Sequence, residues 1–239
     1  MKLSVPILSA SVVLALAAPL IAEGLGLGVT AIGSPHNFAD NIGHPERPSA
    51  GGWNQRDDIC GVCHVAHDGN RDTFYGEIGL LWNHALSNTT YTMYDSFTLD
   101  GAQALQPTGY SKMCLGCHDG TVGIDTFDMY PGGLVFMEDY NPANLIPGPL
   151  YGVDLGSTHP ISIEYNERAD PHLHSRTSPM GGSGTIADVL EQGITVQCSS
   201  CHDVHDEPGE SVPGTHLLRI GIKVSDGIGS GLCRACHIK

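Results

Sequence analysis

The sequence predicts a mostly irregular fold: loops with short α-helices and few strands, built without a conventional side-chain core. Three observations predict it. The first is composition: 31 Gly and 15 Pro punctuate 239 residues, and only five Phe and two Trp are available to fill an interior. Gly and Pro interrupt regular elements, and so few large rings cannot easily build a large core. The second is that every cysteine belongs to one of four Cys-x-x-Cys-His units. These are Cys60-Gly-Val-Cys63-His64, Cys114-Leu-Gly-Cys117-His118, Cys198-Ser-Ser-Cys201-His202 and Cys233-Arg-Ala-Cys236-His237. The third is their spacing: consecutive units start 54, 84 and 35 residues apart, which excludes a simple tandem repeat.

The units carry a specific chemistry. Two thiols at this spacing add to the two vinyl groups of one haem, and the following histidine then falls under the iron as its proximal ligand. Four units imply four covalent haems c. Cys60, Cys63, Cys114, Cys117, Cys198, Cys201, Cys233 and Cys236 hold them, and His64, His118, His202 and His237 are the proximal ligands. The fold class becomes that of a multihaem c-type cytochrome, one chain wrapped around four haems that serve as its core. Structural zinc is the competing explanation, because paired Cys-x-x-Cys units close tetrahedral sites. Disulfides are another in an exported chain. Neither explains a histidine after every second cysteine when only 13 residues of the chain are histidine.

Along the chain, Lys2 precedes an apolar run from Val5 to Ala22 that ends in small residues at Ala17, Ala18 and Ala22. This is the layout of a secretory signal over residues 1–22. Pro6 and Pro19 interrupt it, and it is short for a span of about 20 apolar residues, so cleavage is expected over anchoring. Residues 23–239 then form a single four-haem domain, with 23–50 as an N-terminal arm. Export suits the chemistry, since c-type haem is attached outside the cytoplasm. The gap between units two and three holds Pro131, Gly132, Gly133, Pro142, Pro147, Gly148 and Pro149, which reads as an extended surface loop. Pro171 to Gly184 reads as a second loose region. Short helices are expected near the binding units and after Thr185, where Ile186, Val189 and Leu190 share one helical face. Thr195 to Gln197 is expected as a brief strand. Charge is strongly acidic, 11 Lys and Arg against 26 Asp and Glu. With no basic run, nucleic acid is excluded as a partner. The acidity favours solubility and can steer cationic redox partners.

The opposite face of each iron needs a second ligand. Nine histidines remain: His36, His44, His67, His84, His159, His172, His174, His205 and His216. Iron bound by two histidines has no open position and moves electrons without binding substrate. Methionine is the competing distal ligand, available at Met93, Met113, Met129, Met137 and Met180. His67 and His205 each follow a proximal histidine by three residues, about one helical turn, so each reaches a neighbouring iron more easily than its own. His84 has the apolar approach Leu81-Trp82-Asn83, His159 is stiffened by Pro160, and His36 lies on the N-terminal arm. His44, His172, His174 and His216 carry no comparable signal.

Several longer segments add to this reading. They are Ser34-Pro35-His36-Asn37-Phe38, Ile59 to His67, Leu81-Trp82-Asn83-His84-Ala85, Met113 to Val122, Asp154 to Ser162, Gln197 to His205 and Leu232 to His237. In this order they resemble the multihaem c-type cytochromes that form extracellular filaments, in particular four-haem subunits similar to outer-surface cytochrome E. The resemblance implies His36, His67, His84, His159 and His205 as distal ligands, five candidates for four irons. It also implies that one axial histidine comes from an adjacent subunit, a role that His36 on its arm would suit. The implied function is electron transfer by a secreted helical homopolymer at the cell surface. Its partners would be upstream membrane or periplasmic redox proteins and extracellular electron acceptors. The alternative is a soluble periplasmic shuttle between membrane quinol oxidation and a terminal reductase. An enzyme is not expected, because some multihaem reductases replace the histidine of one unit by lysine and no such unit occurs here. The extra histidines depart from the family pattern. Asn88-Thr89-Thr90 fits the acceptor pattern for N-linked sugar.

Overall fold

A computed structural model describes residues 29, 36–38, 53–54, 58–66, 81–128, 135–136, 153–181, 184–205, 217–220 and 231–238. The expected signal, nearly all of the arm, most of the Pro131 to Pro149 loop, and His44, His67, His216, Met129 and Met137 lie outside the described residues.

Among the described residues regular structure is sparse. In chain order it comprises α1 (Gly109–His118), β1 (Ile163–Glu164), α2 (Ile186–Val189), β2 (Thr195–Val196), α3 (Cys198–Cys201) and α4 (Gly231–Cys236). The strands pair antiparallel, with Ile163 opposite Val196 and Glu164 opposite Thr195. Single bridges join much of the remaining backbone, among them His64 to Trp82, His84 to Phe127, Leu173 to His237 and His202 to Leu218. Among the described residues no helix is long and apolar enough to cross a membrane.

The helix expected after Thr185 is α2. Thr185 caps it: its hydroxyl and its N–H both donate to Asp188 Oδ2, at 2.6 and 2.8 Å. This closes a capping box, which satisfies donors that a helix start leaves open. Ile186, Val189 and Leu190 are buried together with Tyr165 and Met180, and Leu173, Val196, Ile220 and Leu232 pack around them. Two smaller clusters centre on Tyr91, Leu115 and Leu155 and on Ile124. Side-chain cores therefore exist, but they are small and separate, as few large apolar residues permit.

Two expectations change. The stretch from Pro171 to Gly184 is tied down where it is described. Met180 N–H donates to the Gly184 carbonyl at 2.7 Å, and the Ser178 carbonyl accepts from Ile186 N–H at 3.0 Å. Met180 itself is 1 % exposed, so burial of its side chain against α2 anchors a segment whose composition reads as loose. The strand ends at Val196, because Gln197 caps α3 instead: its N–H donates to Ser200 Oγ at 3.0 Å.

α1 and α3 are docked by one buried bond. Ser111 Oγ accepts the Cys198 N–H at 2.9 Å, and Ser111 is wholly buried. This contact brings the second and third Cys-x-x-Cys-His units against each other.

Candidate functional site

Each unit is shaped as one helical turn. The histidine N–H donates to the carbonyl of the first cysteine in His64 to Cys60 at 2.7 Å, His202 to Cys198 at 3.0 Å and His237 to Cys233 at 2.8 Å. The second unit makes its turn at the end of α1. Positions i, i+3 and i+4 lie on one face of a helix, so both thiols and the imidazole of a unit share that face. In the first unit Asp58 Oδ1 caps the turn, accepting N–H groups from Cys60 at 3.0 Å and Gly61 at 2.9 Å.

Three of the four unit histidines lie beside candidate distal histidines from remote parts of the chain. His64 and His205 lie with ring centres 6.0 Å apart and planes 22° apart. His118 faces His36 at 6.1 Å, and His237 faces His159 at 6.3 Å. Ordinary ring contacts also fall in this range, about 4.5–7 Å between centres. Their selectivity is what matters: each joins a histidine of a Cys-x-x-Cys-His unit to one of the five distal candidates. His205 crosses to the first unit while belonging to the third, as its spacing suggests. The His36 ring lies against His118 of the same chain and packs edge-on to Phe38 at 5.9 Å.

His84 is wholly buried on the chain that leads away from Trp82. Its Nδ1 lies 2.8 Å from the Ala85 carbonyl, which can only accept, so Nδ1 carries the proton and Nε2 keeps its lone pair. That Nε2 lies 3.4 Å from Cys117 Sγ, the second thiol of the second unit. His159 repeats the arrangement, its Nδ1 donating to the Pro160 carbonyl at 2.9 Å. Metal-binding histidines are commonly oriented this way, one nitrogen held by a carbonyl and the other left for the metal. His36 Nδ1 and Trp82 Nε1 are instead buried without a hydrogen-bond partner. Gly116 permits the close approach of His84: a Cβ there would meet the Ala85 carbonyl oxygen at 2.8 Å and His84 Nδ1 at 3.3 Å.

Burial favours the neutral form of His36, His64 and His84. Desolvation, reinforced by His118, His202 and His205, pushes the His36 pKa down to about 3. Burial likewise lowers His64, with His205 adding, and His84, where carbonyl bonds oppose it. A neutral imidazole is the form that binds a metal. The thiols show the same physics. Burial pushes Cys63 up to about 12 and both Cys201 and Cys236 up to about 11. Cys198 is the exception, lowered to about 7 by its hydrogen bond with Cys114, whose own pKa rises correspondingly. All eight cysteines are free thiols in the structure. Among the described residues no group of three or more His, Cys, Asp or Glu side chains gathers around a point suited to a bare metal ion.

His172 is exposed, and the backbone around it pairs with the C-terminus, Ile238 N–H donating to the His172 carbonyl at 2.8 Å. The methionine alternatives divide: Met113 and Met180 are buried, Met180 in the cluster around α2. Sequence reasoning missed Asp119 and Asp203, the buried residues directly after His118 and His202. The signal was present, since units two and three both read Cys-x-x-Cys-His-Asp. No protein-family model matches the chain, and no curated protein matches it.

Proposed function

We propose that the chain is a four-haem c-type cytochrome that transfers electrons and assembles into an extracellular filament. The observation that carries the haem reading is the three histidine pairs. Two imidazoles on opposite faces of one metal, each bonded at about 2.0 Å with its ring centre about 1.1 Å further back, have centres about 6.2 Å apart. The three pairs stand at 6.0, 6.1 and 6.3 Å.

The residues fit the group. The eight thiols would hold four haems by thioether bonds, with His64, His118, His202 and His237 as proximal ligands. His205, His36 and His159 would serve as distal ligands to the irons of His64, His118 and His237. His67 and His84 remain the candidates for further distal positions. Bound haem iron cycles between ferric and ferrous forms and so takes up and releases single electrons. The protein's part is to bind and orient. The helical turn of each unit aims two thiols and one imidazole together. The carbonyls of Ala85 and Pro160 fix which nitrogen of His84 and His159 is free. Two histidines per iron close the site to substrate, which favours a carrier over an enzyme.

The filament rests on the resemblance of the haem-unit, Trp-Asn-His and His-Pro segments to filament-forming subunits. Phe97 and Leu105 are almost wholly exposed and offer apolar contact to a neighbouring copy. The expected place is outside the cell, with membrane or periplasmic redox proteins upstream and extracellular acceptors downstream.

The test is the intact mass and spectrum of the chain purified from a host that matures c-type haem. Four covalent haems, all low-spin, are expected; an unmodified mass overturns the reading. Electron microscopy of the extracellular fraction of the native host then separates a haem-positive filament from a monomeric periplasmic shuttle.

A further inference from the structure

Only units two and three carry an aspartate directly after the histidine, and both aspartates are buried, Asp119 at 1 % and Asp203 at 6 % exposure. One oxygen of each does the same work. Asp119 Oδ1 accepts the Thr121 N–H at 2.8 Å, and Asp203 Oδ1 accepts the His205 N–H at 3.0 Å. The second oxygen does not. Asp119 Oδ2 accepts hydroxyl protons from Tyr91 at 2.5 Å and Thr121 at 2.8 Å, both neutral donors. Asp203 Oδ2 accepts from the Arg219 guanidinium at 3.1 Å, and Arg219 is held there by its Nε donating to the Ser199 carbonyl at 2.9 Å. Among the described residues the carboxylate charge is cancelled beside His202 and left standing beside His118.

Resting on the four-haem reading, we propose that Asp119 with its neutral partners and Asp203 with Arg219 give two adjacent sites unequal potentials. Unit two is then the weaker electron acceptor and unit three the stronger. A standing negative charge favours the ferric form, whose iron carries one more positive charge. Charge close to a haem is one of the protein's means of setting its potential. The contact between Ser111 and Cys198 makes the two units neighbours, so the difference gives electrons a preferred direction at this step. One charge at about 10 Å, in an effective dielectric of about 20, changes a one-electron equilibrium by on the order of tenfold. That is a step of about 59 mV.

The test is a redox titration, followed by absorbance, of the full haem-loaded chain. Asp119→Asn is expected to raise one of the four one-electron steps by on the order of tenfold in equilibrium constant. Arg219→Gln should lower one step by a similar factor, while Arg219→Lys, which keeps the charge, stays near the parent. If Arg219→Gln does not fold, Tyr91→Phe carries the same question, because it keeps the carboxylate and removes a donor; one step should fall. The proposal is overturned if Asp119→Asn leaves all four steps in place or lowers one. It is equally overturned if Arg219→Lys shifts the curve as far as Arg219→Gln. Intact mass separates the two levels: four haems with unmoved steps defeat the proposal alone, and a parent chain without four haems defeats the four-haem reading and this proposal together.

Discussion

Replacing Gly116 by Ala sets two effects against each other. Inside α1, alanine is favoured over glycine by about 1 kcal/mol. Against this, the added methyl meets the Ala85 carbonyl oxygen at 2.8 Å and His84 Nδ1 at 3.3 Å. The oxygen is backbone and already accepts the His84 Nδ1–H, so it cannot swing aside as the end of a flexible side chain does. Overpacking of this kind costs about 1–3 kcal/mol, and a rigid buried contact belongs at the upper end. The net expectation is a loss of about 2 kcal/mol, which for a chain of this size lowers the melting midpoint by roughly 4–8 °C. The assay is thermal unfolding of purified Gly116→Ala beside the parent, followed by circular dichroism. A midpoint that rises by a few degrees, as helix propensity alone requires, would refute the close approach of His84 to α1.

Other substitutions probe other parts of the argument. On the four-haem reading, His205→Ala should turn one haem of four from low-spin to high-spin, about a quarter of the signal in electron paramagnetic resonance; His172→Ala, at an exposed position, should leave the spectrum unchanged. Ile186→Ala removes a side chain with no exposed surface and should cost about 2–5 kcal/mol in denaturant unfolding. Hydrogen bonds from Thr185 hold the Asp188 pKa below its ordinary 3.8, so the stability it contributes is full above that value and lost as pH falls through the lower folded value. Asp188→Asn should flatten that acid limb of the unfolding midpoint and leave the rest of the profile's shape intact. Ser111→Ala leaves the Cys198 N–H without its acceptor and should lower stability by about 1–3 kcal/mol in the same assay.

Much of the local structure is legible in the sequence because it depends on short-range rules. The capping pair Thr185 and Asp188, the shared face of Ile186 and Val189, and the turn within each Cys-x-x-Cys-His unit all follow from spacing of four residues or fewer. Which remote segments meet does not. Nothing in the neighbourhood of His36 shows that it lies against His118, or that Arg219 closes on Asp203, because such pairings are decided by how the whole chain packs. Composition misled at Met180. A run rich in Gly, Ser and Pro reads as loose, yet one long apolar side chain anchors it. The aspartates lie within segments the sequence already marks, Met113 to Val122 and Gln197 to His205, but spacing alone does not reveal that both are buried or what each one faces.

The histidine contacts can be drawn as arcs over the chain, from 36 to 118, from 64 to 205 and from 159 to 237. The first arc crosses the second, and the second crosses the third. Crossed arcs cannot be closed one after another as separate loops, since each must form while another stands open. Every long-range closure costs chain entropy before its contact offsets it. A molecule tied in this pattern has no point at which it can be cut into two self-sufficient parts. Removing the last unit frees His159, removing the N-terminal segment frees His118, and the middle arc depends on both sides. A lineage built this way cannot shorten by losing one unit at an end, as solenoid proteins do, without leaving a histidine elsewhere unpaired.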